Sequence, residues 1–145
     1  MTAETDVHGI PITALRQDYA FEAVDDFNFR MYVLPHLADP ARRAEIVAEH
    51  MADPLYSPTR PGEPAPIYSQ TLVRLIDRLR VVPTAGKHII VETERNREFA
   101  IAILPEARGG TVEITDERYS SRGEADHAIF LKRLGALLAD YGIGM

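Results

Sequence analysis

The sequence predicts an α+β fold: helices plus a small antiparallel β-hairpin or three-stranded sheet, covered by a C-terminal helix. Three observations predict it. Leucines and an isoleucine recur at helical spacing through residues 68–82. The pattern then switches to alternation over 86–104, and a capping signature near residue 121 opens a second strongly helical stretch. A chain of 145 residues with 46% hydrophobic and 26% charged residues suits one globular domain, 1–145.

Residues 1–18 carry weak patterning and read as an N-terminal arm. In "YAFEAVDDFNFRMYVL", Phe21, Val24, Phe27 and Met31 fall at helical spacing, which predicts a helix over 22–34. Pro35 cannot continue it without losing a hydrogen bond. Asp39 is the N-cap expected for the next helix, with Pro40 at its first position and Ile46 and Val47 on its apolar face. Asp53-Pro54 ends that helix.

Five of the ten prolines fall within 53–66, "DPLYSPTRPGEPAP". Lacking backbone donors, this stretch reads as an extended surface segment. It carries Tyr56 and Arg60, residue types enriched at interface hot spots. It is either a contact arm for a partner or a strap on its own domain.

In "YSQTLVRLIDRLRVV" (68–82), Leu72, Leu75, Ile76 and Leu79 form one stripe, with Arg74, Asp77, Arg78 and Arg80 on the other face and Pro83 as the stop. "GKHIIVETERNREFAIAIL" (86–104) reads as a hairpin around "ERNR", and "TVEIT" (111–115) as a third strand. A hairpin alone is marginal in water and needs a third strand or a helix over it. The last helix supplies that cover. Ser121 and Glu124 give the S-x-x-E capping box; Ala128, Leu131, Leu134, Gly135 and Leu138 line its apolar face, and Tyr141-Gly142 stops it.

A net charge of −6 argues against a nucleic-acid backbone and an anionic membrane surface as partners. The absence of cysteine excludes disulfides and thiolate chemistry. Neither a signal peptide nor a run of ~20 apolar residues is present, so the expected compartment is the cytoplasm.

Glu124 and His127 form an E-x-x-H pair, a spacing used in metal sites. A capping role occupies Glu124, however, and the chain has no second E-x-x-H. His8, His36, His50 and His88 form no ligand spacing with one another or with His127, so no metal site is expected in this chain. No nucleophile elbow or P-loop is present; "PTAGKH" precedes a strand rather than a helix. The residues therefore predict neither catalytic nor cofactor-binding positions.

The stretches "TLVRLIDRLRVVPTAGKHIIVETE", "REFAIAIL" and "ITDERYSSRGEADHAIFLKRL" resemble the small (alpha) subunit of N,N-dimethylformamidase. "AEIVAEHMADPLYS" fits more loosely, and the resemblance spans roughly residues 41–138. It implies an accessory subunit of a hetero-oligomeric amidohydrolase that converts N,N-dimethylformamide to formate and dimethylamine. It also implies that a large chain carries catalysis, with an iron held there by tyrosine and carboxylate ligands. The other reading is a free-standing binding or regulatory domain of the same fold; an independent enzyme fits least. The candidate interface consists of Tyr56 and Arg60 on the Pro-rich segment, or else the exposed face of the final helix around Asp126, His127, Lys132 and Arg133.

Overall fold

A computed structural model describes residues 20–54, 62, 64, 66–81 and 86–145, with side chains from residue 24 onward. The expected N-terminal arm, the Tyr56–Arg60 stretch, the side chain of Phe21 and the Pro83 stop lie outside the described residues. The elements are α1 (Ala20–Tyr32), α2 (Leu34–Ala38), α3 (Pro40–Ala52), α4 (Gln70–Arg80), β1 (His88–Glu94), β2 (Glu98–Ile103), β3 (Glu113–Tyr119) and α5 (Arg122–Asp140). The fold is α+β, with a three-stranded antiparallel sheet in the order β1-β2-β3 and a C-terminal helix against it.

The caps explain where the helices begin. The Asp39 carboxylate accepts from the Ala41 N–H at 3.1 Å, and Pro40 follows as the first residue of α3. Pro35 sits in the first turn of the short α2, where its missing N–H costs nothing; it starts a helix as well as ending one. Ser69 caps α4 by accepting from the Leu72 N–H at 3.3 Å. Its own N–H and hydroxyl donate to the Glu49 carboxylate at 2.6 and 2.7 Å, so the cap also joins α4 to α3.

At α5, Ser121 Oγ accepts from the Glu124 N–H at 3.2 Å, the expected forward half of the capping box. The return half differs from expectation: Glu124 accepts from the N–H and hydroxyl of Ser120, at 3.3 and 3.2 Å, rather than from Ser121. The helix closes in a Schellman motif. Ile143 N–H donates to Leu138 O at 2.9 Å and Gly142 N–H to Ala139 O at 3.0 Å, with Gly142 at φ +75°.

The hairpin turns at Asn96, whose φ of +57° asparagine tolerates better than most residues. The β1–β2 register pairs Ile90 with Ile101 and Glu92 with Phe99. The third strand starts and ends later than "TVEIT": it runs from Glu113 to Tyr119, pairing Phe99 with Tyr119. Alternating apolar residues opened the prediction at 111; strand pairing carries the ladder through the polar "DERY" instead.

Two apolar clusters make up the core. The larger joins Phe29, Val33, Leu34, Leu37, Ile46, Leu72, Leu75, Leu79, Phe130, Leu134, Leu137, Leu138 and Tyr141. The smaller, under the sheet, joins Phe99, Ile101, Ala125 and Ile129, with Ile90 and Tyr119 packed beside it. The α4 stripe is as expected, with Leu72, Leu75 and Leu79 buried. The α5 stripe differs. Its buried face is Ala125, Asp126, Ile129, Phe130, Arg133, Leu134, Leu137 and Leu138, while Ala128, Leu131 and Gly135 are only half-buried. The predicted face missed positions rotated toward the sheet, because α5 packs on two clusters at once.

The α1 stripe is corrected more fully. Val24 and Phe27 are each 59% exposed, while Asp26, Phe29, Arg30 and Val33 face inward. Two apolar patterns overlap on this helix, and the structure buries the one centred on Phe29 and Val33.

Candidate functional site

The residues expected on an exposed face of α5 are mostly occupied inside the molecule. Arg133, 6% exposed, donates to Leu79 O and His88 O, both at 3.2 Å. It thereby holds the end of α4 and the start of β1 against α5, a usual place for a cation near exposed helix carbonyls. Asp126 is 5% exposed and lies 3.9 Å from the Arg122 guanidinium, one turn back. Burial of both residues corrects their placement on an exposed face. Lys132, half-buried, bonds Glu117 of β3 at 2.8 Å and holds the Glu117 carboxyl below its ordinary value.

His127 is half-buried and meets a partner that sequence spacing did not reveal. Its Nδ1 lies 2.8 Å from Nδ1 of His50, 77 residues away on α3. His50 is fully buried and stacks on Phe130, with ring centroids 3.9 Å apart. Only one of the two facing nitrogens can carry the shared proton, so the bond needs at least one neutral ring. Burial lowers the His127 pKa, in keeping with that need. The absence of any ligand spacing between the histidines thus says nothing of this pair, which the fold brings together. Iron or another metal would need a third ligand here, and among the described residues no three histidine, aspartate or glutamate side chains come together.

A second polar junction lies inside α1. Arg30 Nε donates to Asp26 Oδ2 at 2.8 Å, and the Tyr141 hydroxyl donates to Asp26 Oδ1. The Arg30 guanidinium sits 4.5 Å from the centre of the Tyr141 ring. Burial, followed by the adjacent Asp26, pushes the Tyr141 hydroxyl pKa up. The phenol stays protonated and acts as a fixed donor.

Among the described residues one open feature of the surface is a cleft of about 490 Å3 between α1 and α4. Asp25, Phe29, Tyr32 and Val33 form one wall; Arg74, Asp77, Arg78 and Val81 form the other. Tyr32 is 51% exposed, and the Arg74 guanidinium lies over its ring at 4.8 Å. Val24 and Phe27 continue the exposed apolar surface along α1, and Val81 lies at the far wall. Sequence reasoning used Val24 and Phe27 only as the spacing of a helix, placed Arg74 on the charged face of α4, and singled out neither Tyr32 nor Arg74 as a contact. The available signal was the presence of two apolar stripes on one helix, one more than a single core contact requires.

Comparison with known proteins gives a consistent set of relatives. The family model described as the N,N-dimethylformamidase alpha subunit matches residues 25–143. A protein of Alcaligenes sp named N,N-dimethylformamidase alpha subunit is 34% identical over 96 residues, covering 66% of this chain and 67% of that one. One of Paracoccus aminophilus with the same name is 32% identical over 90 residues, covering 62% of this chain and 58% of that one.

Proposed function

Because the chain belongs to the N,N-dimethylformamidase alpha-subunit family, we propose that it is the small accessory subunit of a hetero-oligomeric amidohydrolase. In this reading a larger partner carries the chemistry, hydrolysis of a small N-substituted amide to an acid and an amine. The observation that carries it is the family's identity as a subunit, since a subunit requires a partner. The distribution of reactive side chains supports it. Lys132, Asp126 and Arg133 contact other groups of the chain, and His127 shares its proton with His50. The exposed apolar residues of α1 lie on a different face, next to an open cleft. No helix among the described residues is long and apolar enough to cross a membrane.

The amide carbonyl, the nucleophilic water and any iron belong on the partner in this reading. This chain contributes a preorganised docking surface. Its rigidity comes from Arg133, the His50–His127 pair and the Asp26–Arg30–Tyr141 junction, which tie α5 to α4, α3 and α1.

The test is co-expression with a large subunit, followed by assay of formate release from N,N-dimethylformamide. The purified complex should hydrolyse the amide, and the folded small chain alone should not. Hydrolysis by the small chain alone, or its failure to bind the large chain, would overturn the reading.

A further inference from the structure

The α1–α4 cleft is lined by two arginines and two acids, yet the ion pairs leave one of its arginines over, and that arginine indicates what fills it. Three arginines, Arg74, Arg78 and Arg80, line or flank it on α4, together with two acids, Asp25 and Asp77. Arg78 pairs with Asp25 at 3.3 Å, and Arg80 pairs with Asp77. Among the described residues Arg74 has no ion pair; its guanidinium rests on the Tyr32 ring. One cation without an ion pair among the described residues is thus presented at the cleft, on a chain whose net charge is −6. Stacking on Tyr32 fixes the guanidinium plane, which lowers the entropic cost of engaging a carboxylate with both N–H groups.

The rest of the lining is partly apolar. Phe29 and Val33 line the floor from the core side, while Tyr32 and Val81 stand at the exposed rims. Val24 and Phe27 are exposed elsewhere on α1 and do not line the cleft. A cleft of about 490 Å3 holds a few side chains rather than a whole domain. Tyrosine and arginine together at such a place form the usual composition of an interface hot spot.

We propose that the α1–α4 cleft is the seat for a segment of the large subunit that bears an acidic residue beside aliphatic ones. Its carboxylate pairs with Arg74, and an aliphatic side chain enters between Tyr32 and Val81. The proposal rests on the subunit reading above and adds to it the surface and the chemistry of the contact.

The test compares three full-length variants with the unaltered chain: Arg74→Glu, Tyr32→Ser and, as a charge-reversal control on the exposed hairpin turn, Arg95→Glu. Melting of each isolated chain and its affinity for the large subunit are measured, the latter at low and raised ionic strength. Arg74→Glu and Tyr32→Ser should each weaken association by about tenfold or more with melting unchanged. Arg95→Glu should leave both alone. Raised ionic strength should weaken the unaltered complex and have little effect on the Arg74→Glu complex. If the unaltered chain binds the large subunit and both cleft variants bind as tightly, the cleft is not the seat, while the subunit reading stands. If the unaltered, folded chain does not bind the large subunit, the subunit reading itself fails. If the cleft variants instead change self-association of the isolated chain, a second copy occupies the cleft and the proposal is wrong.

Discussion

Helices α1 and α4 lie side by side and have opposite designs. The α4 helix has one apolar stripe, with Leu72, Leu75 and Leu79 buried and Ile76 half-buried against them. Its opposite face carries the charges. The α1 helix buries a charged pair, Asp26 and Arg30, together with Phe29 and Val33, and leaves Val24 and Phe27 in water. On α4 the stripe is covered by the chain's own core, and Val73 alone of its larger apolar residues is well exposed. On α1 Val24 and Phe27 stay in water beside a buried charged pair. The difference separates a helix whose apolar pattern serves the core of this chain from one whose pattern serves it only in part.

Breaking the inner face of α1 should have the largest effect. Asp26→Ala leaves the Arg30 guanidinium and the Tyr141 hydroxyl buried without their shared acceptor. Loss of about 3–5 kcal/mol is expected, read from denaturant unfolding. A small loss would mean that the junction is solvated and that α1 is held by Phe29 and Val33 alone.

Leu75→Ala tests the completed stripe of α4. The side chain is fully buried in the larger cluster, and about 2–5 kcal/mol should be lost. Because the stripe faces away from the cleft, affinity for the partner per folded molecule should not change.

The α5 helix, on which both lean, gives two smaller tests. Ser121→Ala removes the acceptor of the Glu124 N–H and should cost about 1 kcal/mol. The other test is pH. Desolvation lowers the pKa of His127; desolvation, then Lys132 and Arg133, lowers that of His88. The unfolded chain therefore binds protons more readily than the folded one just below the ordinary value of 6.5. Stability should be full above that pH and fall as the pH drops through the lowered folded values. Glu117, held low by Lys132, adds a further loss below its ordinary value of 4.5. Melting temperature followed downward from about pH 7 should fall first with the histidine step, and His127→Gln should shrink that step. A flat profile to pH 5 would show that the His50–His127 contact does not couple to folding.

The smallest effect should come from the outer face of α1. Phe27→Ser should change the isolated chain by no more than about 0.5 kcal/mol, since the ring is mostly in water. A large loss of stability would place Phe27 in the monomer core after all and remove the contrast with α4.

Much of the fold was legible in the residue order. The caps at Asp39 and Ser121, the α4 stripe, the change of period into the hairpin and the Gly142 stop are all local. Each depends on backbone groups within a few residues, and side-chain chemistry at short spacing determines it. The candidate site was legible only in part. Lys132 and His127 were singled out, but as exposed contacts rather than as groups bonded to Glu117 and His50. Tyr56 and Arg60 were singled out on a stretch outside the described residues.

What the sequence by itself determined was the class of fold, the starts and stops of the main helices and the family resemblance, because these follow from periodicity, capping and motif. Three things were decided only by the tertiary structure. It selected which of two apolar stripes on α1 turns inward, since both satisfy the same 3.6-residue period and only packing against α4 and α5 distinguishes them. It brought His50 to His127 across 77 residues. Among the described residues it also left Arg74 over Tyr32 without an acid while Asp25 and Asp77 went to other arginines. Long-range pairing of charges depends on where helices come to lie side by side, and that is a property of the packed chain, not of spacing along it.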